Sequence, residues 1–335
     1  MRQLFLLVLL LVCFFADLLY GSALIPVGGV IDVLLGQSPD PSWDTIIWQF
    51  RLPKALTAVL AGAALAVSGL QMQTLFRNPL AGPYVLGITA GASLGVAALV
   101  LASGALGSGF AAVFPAAWQG WVLIGASIAG AGAAMLLVLF FAARLRDNLA
   151  LLIVGMMLSS CIGALVSTLQ YFSSESELQR YVIWTFGSLG GLDWPKLRIL
   201  IIICSLGLGY AFLLFKPLNA WVLGEQYARS LGVAVGRARF QVILSASVLA
   251  GSVTAFCGPI GFVGLAVPYL ARAIYRTADH RVLLPASAWL GAMVLLVCDL
   301  LCQIPGQGQV LPINIVTSLI GAPTVIWLVV ARRRG

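Results

Sequence analysis

Charged residues are scarce in this sequence of 335 residues. They make up 9% of the chain, whereas hydrophobic residues make up 61%. An average soluble domain carries about 25% charged residues, so the composition excludes a soluble globular enzyme. Because roughly 20 apolar residues cross a bilayer as a helix, the length allows about ten crossings with short connections. The composition therefore predicts an all-α polytopic membrane protein that forms a single domain over residues 1–335.

Residues that bind nucleotides or metals are also few. The chain has one histidine, His280, and its six cysteines lie inside apolar runs without C-x-x-C spacing, which disfavours a metal or haem centre. Its lysines, Lys54, Lys196 and Lys216, do not follow a glycine-rich phosphate-binding loop. We therefore predict no catalytic residue, no metal site and no cofactor bound by this chain.

Apolar runs separated by charged residues, proline or glycine predict ten membrane-spanning helices. The predicted spans cover residues 4–25, 53–75, 80–102, 121–143, 149–171, 197–215, two short crossings within 240–275, 282–301 and 311–330. The two short crossings meet at a non-helical corner, residues 257–261. The first run also resembles a secretory signal peptide, but we interpret it as a retained helix because the run continues to Val27.

Small residues recur at a spacing of four along two of the predicted spans. Gly87, Gly91 and Gly95 form one such series, and Gly62 with Ala66 forms another. This spacing lets helix backbones approach closely within a membrane. We therefore interpret these glycines as packing positions.

Basic residues are distributed unequally between the two sides of the predicted bundle. With the N-terminus inside, most of the 19 lysine and arginine residues fall on the cytoplasmic side, as the positive-inside rule requires. Both termini are therefore predicted to be cytoplasmic. The net charge of +8 does not indicate nucleic-acid binding, because the basic residues are scattered between apolar runs and form no basic face.

Two acidic residues, Asp17 and Asp299, lie within predicted spans. Ionisable groups inside a membrane are costly and often functional. Asp299 needs a hydrogen-bond donor, for which we expect a backbone or serine group. An ion-coupled carrier that uses these two acids is one alternative function; a structural role is the other.

The longest predicted inner loop, residues 216–239, contains a short helical pattern. Glu225 and Arg229 are four residues apart in the order that favours an ion pair along one helix turn. Gly224 and Gly232 stand on either side of the pair. The pattern indicates a short amphipathic helix beneath the membrane that is available to a cytoplasmic protein.

Six stretches of the sequence, in this order, resemble the permease family of type II ABC importers for iron-siderophores, haem and vitamin B12. The stretches are residues 51–54, 75–81, 223–232, 258–265, 279–285 and 321–323. The similarity covers nearly the whole chain. It implies a multi-pass protein of the bacterial inner membrane and a homodimer of ten-helix subunits around a central pathway. It also implies two cytoplasmic ABC ATPase subunits, which hold ATP and Mg, and a periplasmic substrate-binding protein.

The resemblance also implies roles for particular residues. The coupling helices that contact the ATPase lie at about residues 219–236, with the contact residues Gly224, Glu225, Ala228, Arg229, Leu231 and Gly232. The outer positions that dock the binding protein correspond to Arg51, Lys54 and Gln303, where Gln303 replaces a basic residue of the family. The cytoplasmic gate corresponds to Asp147 and Asn148, and a short periplasmic helix is expected at about residues 181–194.

The resemblance leaves the cargo open among a siderophore, haem and vitamin B12. We rank iron complexes first because they are the commoner cargo of the family. An importer specific for vitamin B12 or another corrinoid is the alternative, and an ion-coupled secondary transporter is less favoured.

Overall fold

The computed structural model describes residues 2–21, 23, 25–37, 40–105, 114–145, 147–303 and 310–332. Within these ranges the chain is helical, and no β-strand is present. The helices are α1 Arg2–Leu19, α2 Val27–Leu34, α3 Pro41–Thr45, α4 Leu52–Leu75, α5 Ile88–Ala105, α6 Ala116–Arg144, α7 Asn148–Tyr171, α8 Glu175–Thr185, α9 Trp194–Leu213, α10 Phe215–Val222, α11 Glu225–Ser230, α12 Val235–Cys257, α13 Val263–Tyr275, α14 His280–Cys302 and α15 Ile313–Arg332. A π-helical turn, Ile46–Arg51, joins α3 to α4, and a 3₁₀ turn, Pro83–Leu86, precedes α5.

Ten helices occupy the positions of the ten predicted spans. Six segments in the described part of the chain are long and apolar enough to cross a membrane, and α1, α5, α13 and α15 are shorter apolar helices. The prediction of an all-α membrane protein with many spans is confirmed. The third span begins at Ile88 rather than at residue 80, because Pro79 and Pro83 interrupt the chain with turns.

Helix α4 lies at the centre of the bundle and packs against α12, α13 and α14. Its apolar window, within the continuous segment Pro41–Leu75, is 83% buried. Gly62 of α4 faces Gly291 of α14 so closely that a Cβ on either glycine would overlap the carbonyl oxygen of the other. Close helix contacts of this kind are built from small residues, because van der Waals packing drives helix association in membranes.

Helices α5 and α6 make a second close crossing. A Cβ on Gly91 of α5 would collide with the side chain of Ala134 and the carbonyl of Gly130 on α6, and a Cβ on Gly130 would overlap the carbonyl of Gly91. Gly95 contacts the carbonyl of Ala126 in the same way. These contacts give Gly91 and Gly95 the packing role that their spacing predicts.

The corner between α12 and α13 lies where the sequence predicts a break. Helix α12 ends at Cys257, and Gly258 has a φ of +74° that favours glycine. Asn314, at the start of α15, accepts a hydrogen bond of 2.9 Å from the backbone N–H of Gly261. The backbone N–H of Ser188 also donates to the carbonyl of Cys257 at 2.8 Å. The corner is thus a fixed part of the bundle.

The bundle has two ends, which we name by residues they carry. The Lys54 end contains the start of α4, the end of α14 and the end of α12. The α11 end contains α10, α11, the end of α4 and the start of α14. The sites predicted from sequence fall at these two ends.

Candidate coupling and docking sites

Two short helices, α10 and α11, form the segment predicted to couple to an ATPase. They are separated by Gly224, whose φ of +114° suits only glycine, and α11 is followed by Gly232 with a φ of +80°. The predicted segment, residues 219–236, therefore comprises the second half of α10, all of α11 and the start of α12.

Helix α11 presents both an inner and an outer face. Ala228 is fully buried against the bundle, whereas Leu223, Tyr227 and Leu231 are largely exposed. Tyr227 lies within α11, whereas Leu223 and Leu231 flank that helix, as the C-caps of α10 and α11. A row of exposed apolar side chains between polar residues is typical of a protein–protein contact surface.

Glu225 connects α11 to the rest of the bundle. Its Oε1 accepts a hydrogen bond of 2.8 Å from Nη2 of Arg229, and its Oε2 lies 3.3 Å from Nη2 of Arg239. Arg239, on α12, is only 5% exposed. Its Nη1 donates a hydrogen bond of 2.7 Å to the carbonyl of Leu145, at the end of α6. Arg239 thus links α11 to the α6–α7 connection.

The predicted gate residues lie in that same connection. Asp147 is the N-cap of α7, where its carboxylate accepts hydrogen bonds from the backbone N–H groups of Leu149 and Ala150 at 3.0 and 3.4 Å. The side-chain amide of Asn148 donates to the carbonyl of Leu75, the last residue of α4, at 3.0 Å. The family resemblance pointed to Asp147 and Asn148 but not to Arg239, since an arginine at the start of a helix carries no signal of a distant partner.

The predicted docking residue Arg51 lies inside the Lys54 end. It is 7% exposed, and its guanidinium donates to the carbonyls of Leu18 and Leu19 at 2.7 and 3.1 Å and also to that of Ala23. The last carbonyls of a helix lack partners within the helix, and α1 ends at Leu19. Arg51 therefore caps the C-terminus of α1 and does not face outward.

Lys54 and Gln303 surround Asp299. The ammonium of Lys54 lies 2.6 Å from Oδ2 of Asp299, and Nε2 of Gln303 lies 3.3 Å from the same oxygen. Asp299 is 5% exposed and Asp17, which lies beside it on α1, is 2% exposed. The expectation that a backbone or serine group serves Asp299 is wrong, because the donors are a lysine and a glutamine. The three predicted docking residues thus lie at one end of the bundle, where only Lys54 is partly exposed.

Helix α8 borders a cavity of about 420 Å³ at the Lys54 end. The lining includes Arg180 and Trp184 of α8, Gln119 of α6 and Gly258 of the corner. The short helix runs over Glu175–Thr185 and so begins and ends earlier than residues 181–194. It cannot extend further because Gly187, with a φ of +70°, turns the chain toward Cys257.

Comparison with known proteins places this architecture among transport proteins. A vitamin B12 import system permease protein, BtuC, from Klebsiella pneumoniae is 40% identical over 287 residues, which cover 86% of this chain and 83% of that protein. The BtuC protein of Citrobacter koseri is 37% identical over 292 residues, or 87% of this chain and 84% of that protein.

The fold and the sequence pattern agree with these relatives. A solved structure, described as an inward-facing conformation of a metal-chelate type ABC transporter, matches with a TM-score of 0.84 and 32% identity over 98% of this chain and 99% of that chain. The model of the FecCD transport family matches residues 9–331. The chain therefore belongs to the FecCD transport family and is a multi-pass permease subunit of an ABC importer in the bacterial inner membrane.

Proposed function

We propose that this chain is the membrane subunit of an ATP-driven importer whose cargo is vitamin B12 or a related corrinoid. The observation that carries the proposal is the 40% identity to a vitamin B12 import permease over 86% of the chain. These relatives reverse the ranking from sequence alone, which placed iron complexes first. An iron-siderophore or haem complex is the second candidate, favoured by the likeness to a metal-chelate type transporter.

The proposed importer contains two copies of this chain, two ABC ATPase subunits and a periplasmic binding protein. The cavity of about 420 Å³ lies at the small end of the range for sites that enclose drug-sized ligands. A corrinoid or a whole metal chelate needs a wider pathway, which we place between the two copies. The ATPase subunits hold ATP and Mg, and this chain converts their closure into movement of the gate.

The coupling proposal rests on the surface of α11 and on its buried link. The row of Leu223, Tyr227 and Leu231 is the surface that we assign to the ATPase, together with Glu225 and Arg229. Arg239 then connects Glu225 to Leu145, next to the gate residues. Because Arg239 is buried and held at both ends, a shift of α11 is transmitted to the α6–α7 connection.

The docking site that we propose contains fewer residues than the sequence predicts. Arg51 and Gln303 are buried, so we assign the contact with the binding protein to Lys54, whose side chain is 21% exposed. A carboxylate of the binding protein that approaches Lys54 competes with Asp299 for the same ammonium. Docking at this position therefore acts on the contact between α4 and α14.

Reconstitution tests the proposed function. The chain is placed in proteoliposomes with its ATPase and binding protein, and uptake of cyanocobalamin, an iron-siderophore and haem is measured with and without ATP. We expect ATP-dependent uptake of cyanocobalamin, and none with an ATPase variant that cannot hydrolyse ATP. If only an iron complex is taken up, the second candidate replaces the corrinoid as the cargo. Uptake that does not require ATP rejects both candidates.

The ion-coupled alternative is tested in the same vesicles. The double variant Asp17→Asn/Asp299→Asn removes both intramembrane acids and leaves Lys54 in place for the contact with the binding protein. A carrier driven by protons loses uptake in this variant and when the pH gradient is dissipated. The proposed importer keeps its ATP-dependent uptake under both conditions.

A further inference from the structure

A cavity of about 350 Å³ opens at the α11 end of the bundle, where α4, α10, α13 and α14 meet. Its lining includes Gln73, Thr74, Arg77, Val222, Arg272 and His280. Neither the coupling surface on α11 nor the gate residues contribute to it. Val222, within the predicted coupling segment, does line it, and the guanidinium of Arg77 lies close to Gly224. The cavity thus adjoins the coupling segment, but the function proposed above does not use it.

The lining of this cavity is positively charged. Arg77 and Arg272 bring two guanidinium groups to it, and no carboxylate is among its described lining residues. The acid next to His280 in the chain is Asp279, whose Oδ1 accepts hydrogen bonds from the side-chain amide of Asn219 and the backbone N–H of Arg281 at 2.7 and 2.9 Å. These contacts hold the carboxylate on the N-terminus of α14, so it serves as the helix cap.

Polar contacts hold the wall of the cavity in place. Asn219 Oδ1 accepts from the backbone N–H of His280 at 2.7 Å and lies 2.8 Å from Nδ1 of the same residue. An amide oxygen only accepts, so Nδ1 carries a hydrogen. Nε2 lies 2.8 Å from the hydroxyl oxygen of Thr74, which itself donates to the carbonyl of Leu70 at 2.8 Å. Arg272 is held against Gln73 by a bond from Nη1 to Oε1. One arginine is thus fixed in the wall.

Arg77 differs from Arg272 because it is exposed and weakly held. Its Nη2 lies 3.4 Å from the carbonyl of Val222, a distance at which a hydrogen bond contributes little. Its guanidinium is therefore able to turn onto a ligand in the cavity without breaking a strong contact. The arrangement combines one fixed and one adjustable guanidinium around a space that is larger than a few water molecules.

We propose that this cavity binds a phosphate group. Guanidinium groups form bidentate hydrogen bonds with phosphate oxygens, and basic pockets between helices at the cytoplasmic side of a membrane bind the headgroups of anionic lipids. The phosphate belongs either to the headgroup of an anionic phospholipid or to a free phosphate in solution. Both sources share the chemistry that the two arginines recognise.

Thermal unfolding of the purified full-length chain tests this proposal. The chain is delipidated in a neutral detergent, and its unfolding midpoint is measured with increasing cardiolipin, increasing inorganic phosphate, or chloride at equal ionic strength. We expect a saturable rise of the midpoint that chloride does not reproduce. A rise with cardiolipin alone identifies a lipid headgroup, and a rise with phosphate identifies a free anion; both support the proposal.

Variants assign the effect to the cavity. Hydrogen bonds to charged groups are stronger than those between neutral groups, so Arg77→Gln is expected to weaken the apparent affinity about tenfold. Arg77→Lys keeps the charge but loses the bidentate geometry of the guanidinium, so it is expected to weaken the affinity less. Arg237→Gln removes an exposed charge of α12 that lies outside the cavity and serves as the matched control. Absence of any ligand-specific rise, or an equal loss in Arg237→Gln, overturns the proposal. Arg77 is exposed, so its variants are expected to fold even where Arg272→Gln does not.

Discussion

The ammonium nitrogen of Lys54 lies 2.6 Å from Oδ2 of Asp299. One residue stands at the start of α4 and the other near the end of α14, two helices that also meet at Gly62 and Gly291. The ion pair explains how an acid that is almost fully buried is tolerated in an apolar helix. It also gives an internal partner to a lysine that the sequence assigns to docking.

We expect the Lys54–Asp299 pair to behave as a buried ion pair. Removing one partner leaves an uncompensated charge, so Lys54→Met and Asp299→Asn are each expected to cost about 2 kcal/mol of unfolding free energy. The double variant Lys54→Met/Asp299→Asn removes both charges of the pair together and should cost less than the sum of the two. The unfolding midpoints of the unmodified chain, the two single variants and the double variant, measured in detergent, complete this double-mutant cycle.

A surface pair supplies the control for this cycle. Lys196 lies 2.9 Å from Asp193, and their side chains are 16% and 55% exposed, so the carboxylate of this pair reaches water whereas that of Asp299 is buried. Exposed pairs contribute little, so Lys196→Met is expected to cost less than about 1 kcal/mol. Two results would contradict the interpretation of Lys54 and Asp299 as a buried ion pair. One is strict additivity of Lys54→Met and Asp299→Asn, and the other is an effect of either variant no larger than that of Lys196→Met.

The crossing of α5 and α6 predicts opposite outcomes for two glycines of one helix. A Cβ on Gly130 would overlap the carbonyl of Gly91, whereas a Cβ on Gly132 would have no neighbour within 4 Å. Gly130→Ala is expected to destabilise the chain by about 1 to 3 kcal/mol through overpacking. Gly132→Ala is expected to be neutral or slightly stabilising, since alanine is the better helix former. Thermal unfolding compares the two, and similar shifts would mean that the helices do not cross here.

Arg239 is expected to be a positioning residue for coupling. Arg239→Gln removes its ionic contact with Glu225 and weakens the link to Leu145, but it leaves the exposed row on α11 unchanged. ATPase subunits should therefore still bind, while ATP-driven uptake per ATP hydrolysed falls by about five- to hundredfold, the usual range of coupling energies. Uptake and ATPase activity are measured in the same proteoliposomes.

The control for Arg239→Gln is Arg237→Gln, two residues earlier on the same helix. Arg237 is exposed. Its replacement by glutamine is therefore expected to leave the ratio of uptake to ATP hydrolysis unchanged. A structural role of Arg239 alone predicts loss of assembly and a lower unfolding midpoint with a normal ratio in the complexes that form. That result would remove Arg239 from the coupling route.

The sequence predicted the features of this fold that depend on local pattern. Apolar runs located the ten helices, Gly258 and Pro259 located the corner between α12 and α13, and the spacing of Gly91 and Gly95 located a close crossing. Each of these follows from residues that are near one another in the chain. Local pattern also placed Gly224 and Gly232 on either side of a helical turn.

The orientation of Arg51 could not be predicted in this way. A π-helical turn over Ile46–Arg51 changes the direction in which successive side chains point, because its hydrogen bonds span five residues instead of four. Regular helical periodicity therefore does not locate Arg51, which turns toward the end of α1. The pairing of Lys54 with Asp299 was equally hidden, since it depends on how two distant helices pack.

The N-cap of α14 predicts an acid-dependent contribution to stability. The backbone N–H of Arg281 and the side-chain amide of Asn219 hold the pKa of Asp279 below its usual value of 3.8. A lowered pKa means that the ionised cap stabilises the fold fully above that usual value and that this contribution is lost as the pH falls through the lowered pKa. At neutral pH, Asp279→Ala is expected to cost about 1 kcal/mol, as for other N-caps. Asp279→Asn keeps a capping side chain without the charge, so its difference from the unmodified chain should shrink as the pH falls below 3.8. Unfolding midpoints measured from neutral to acid pH check this, and a difference that stays constant over the range would show that the charge of Asp279 contributes nothing.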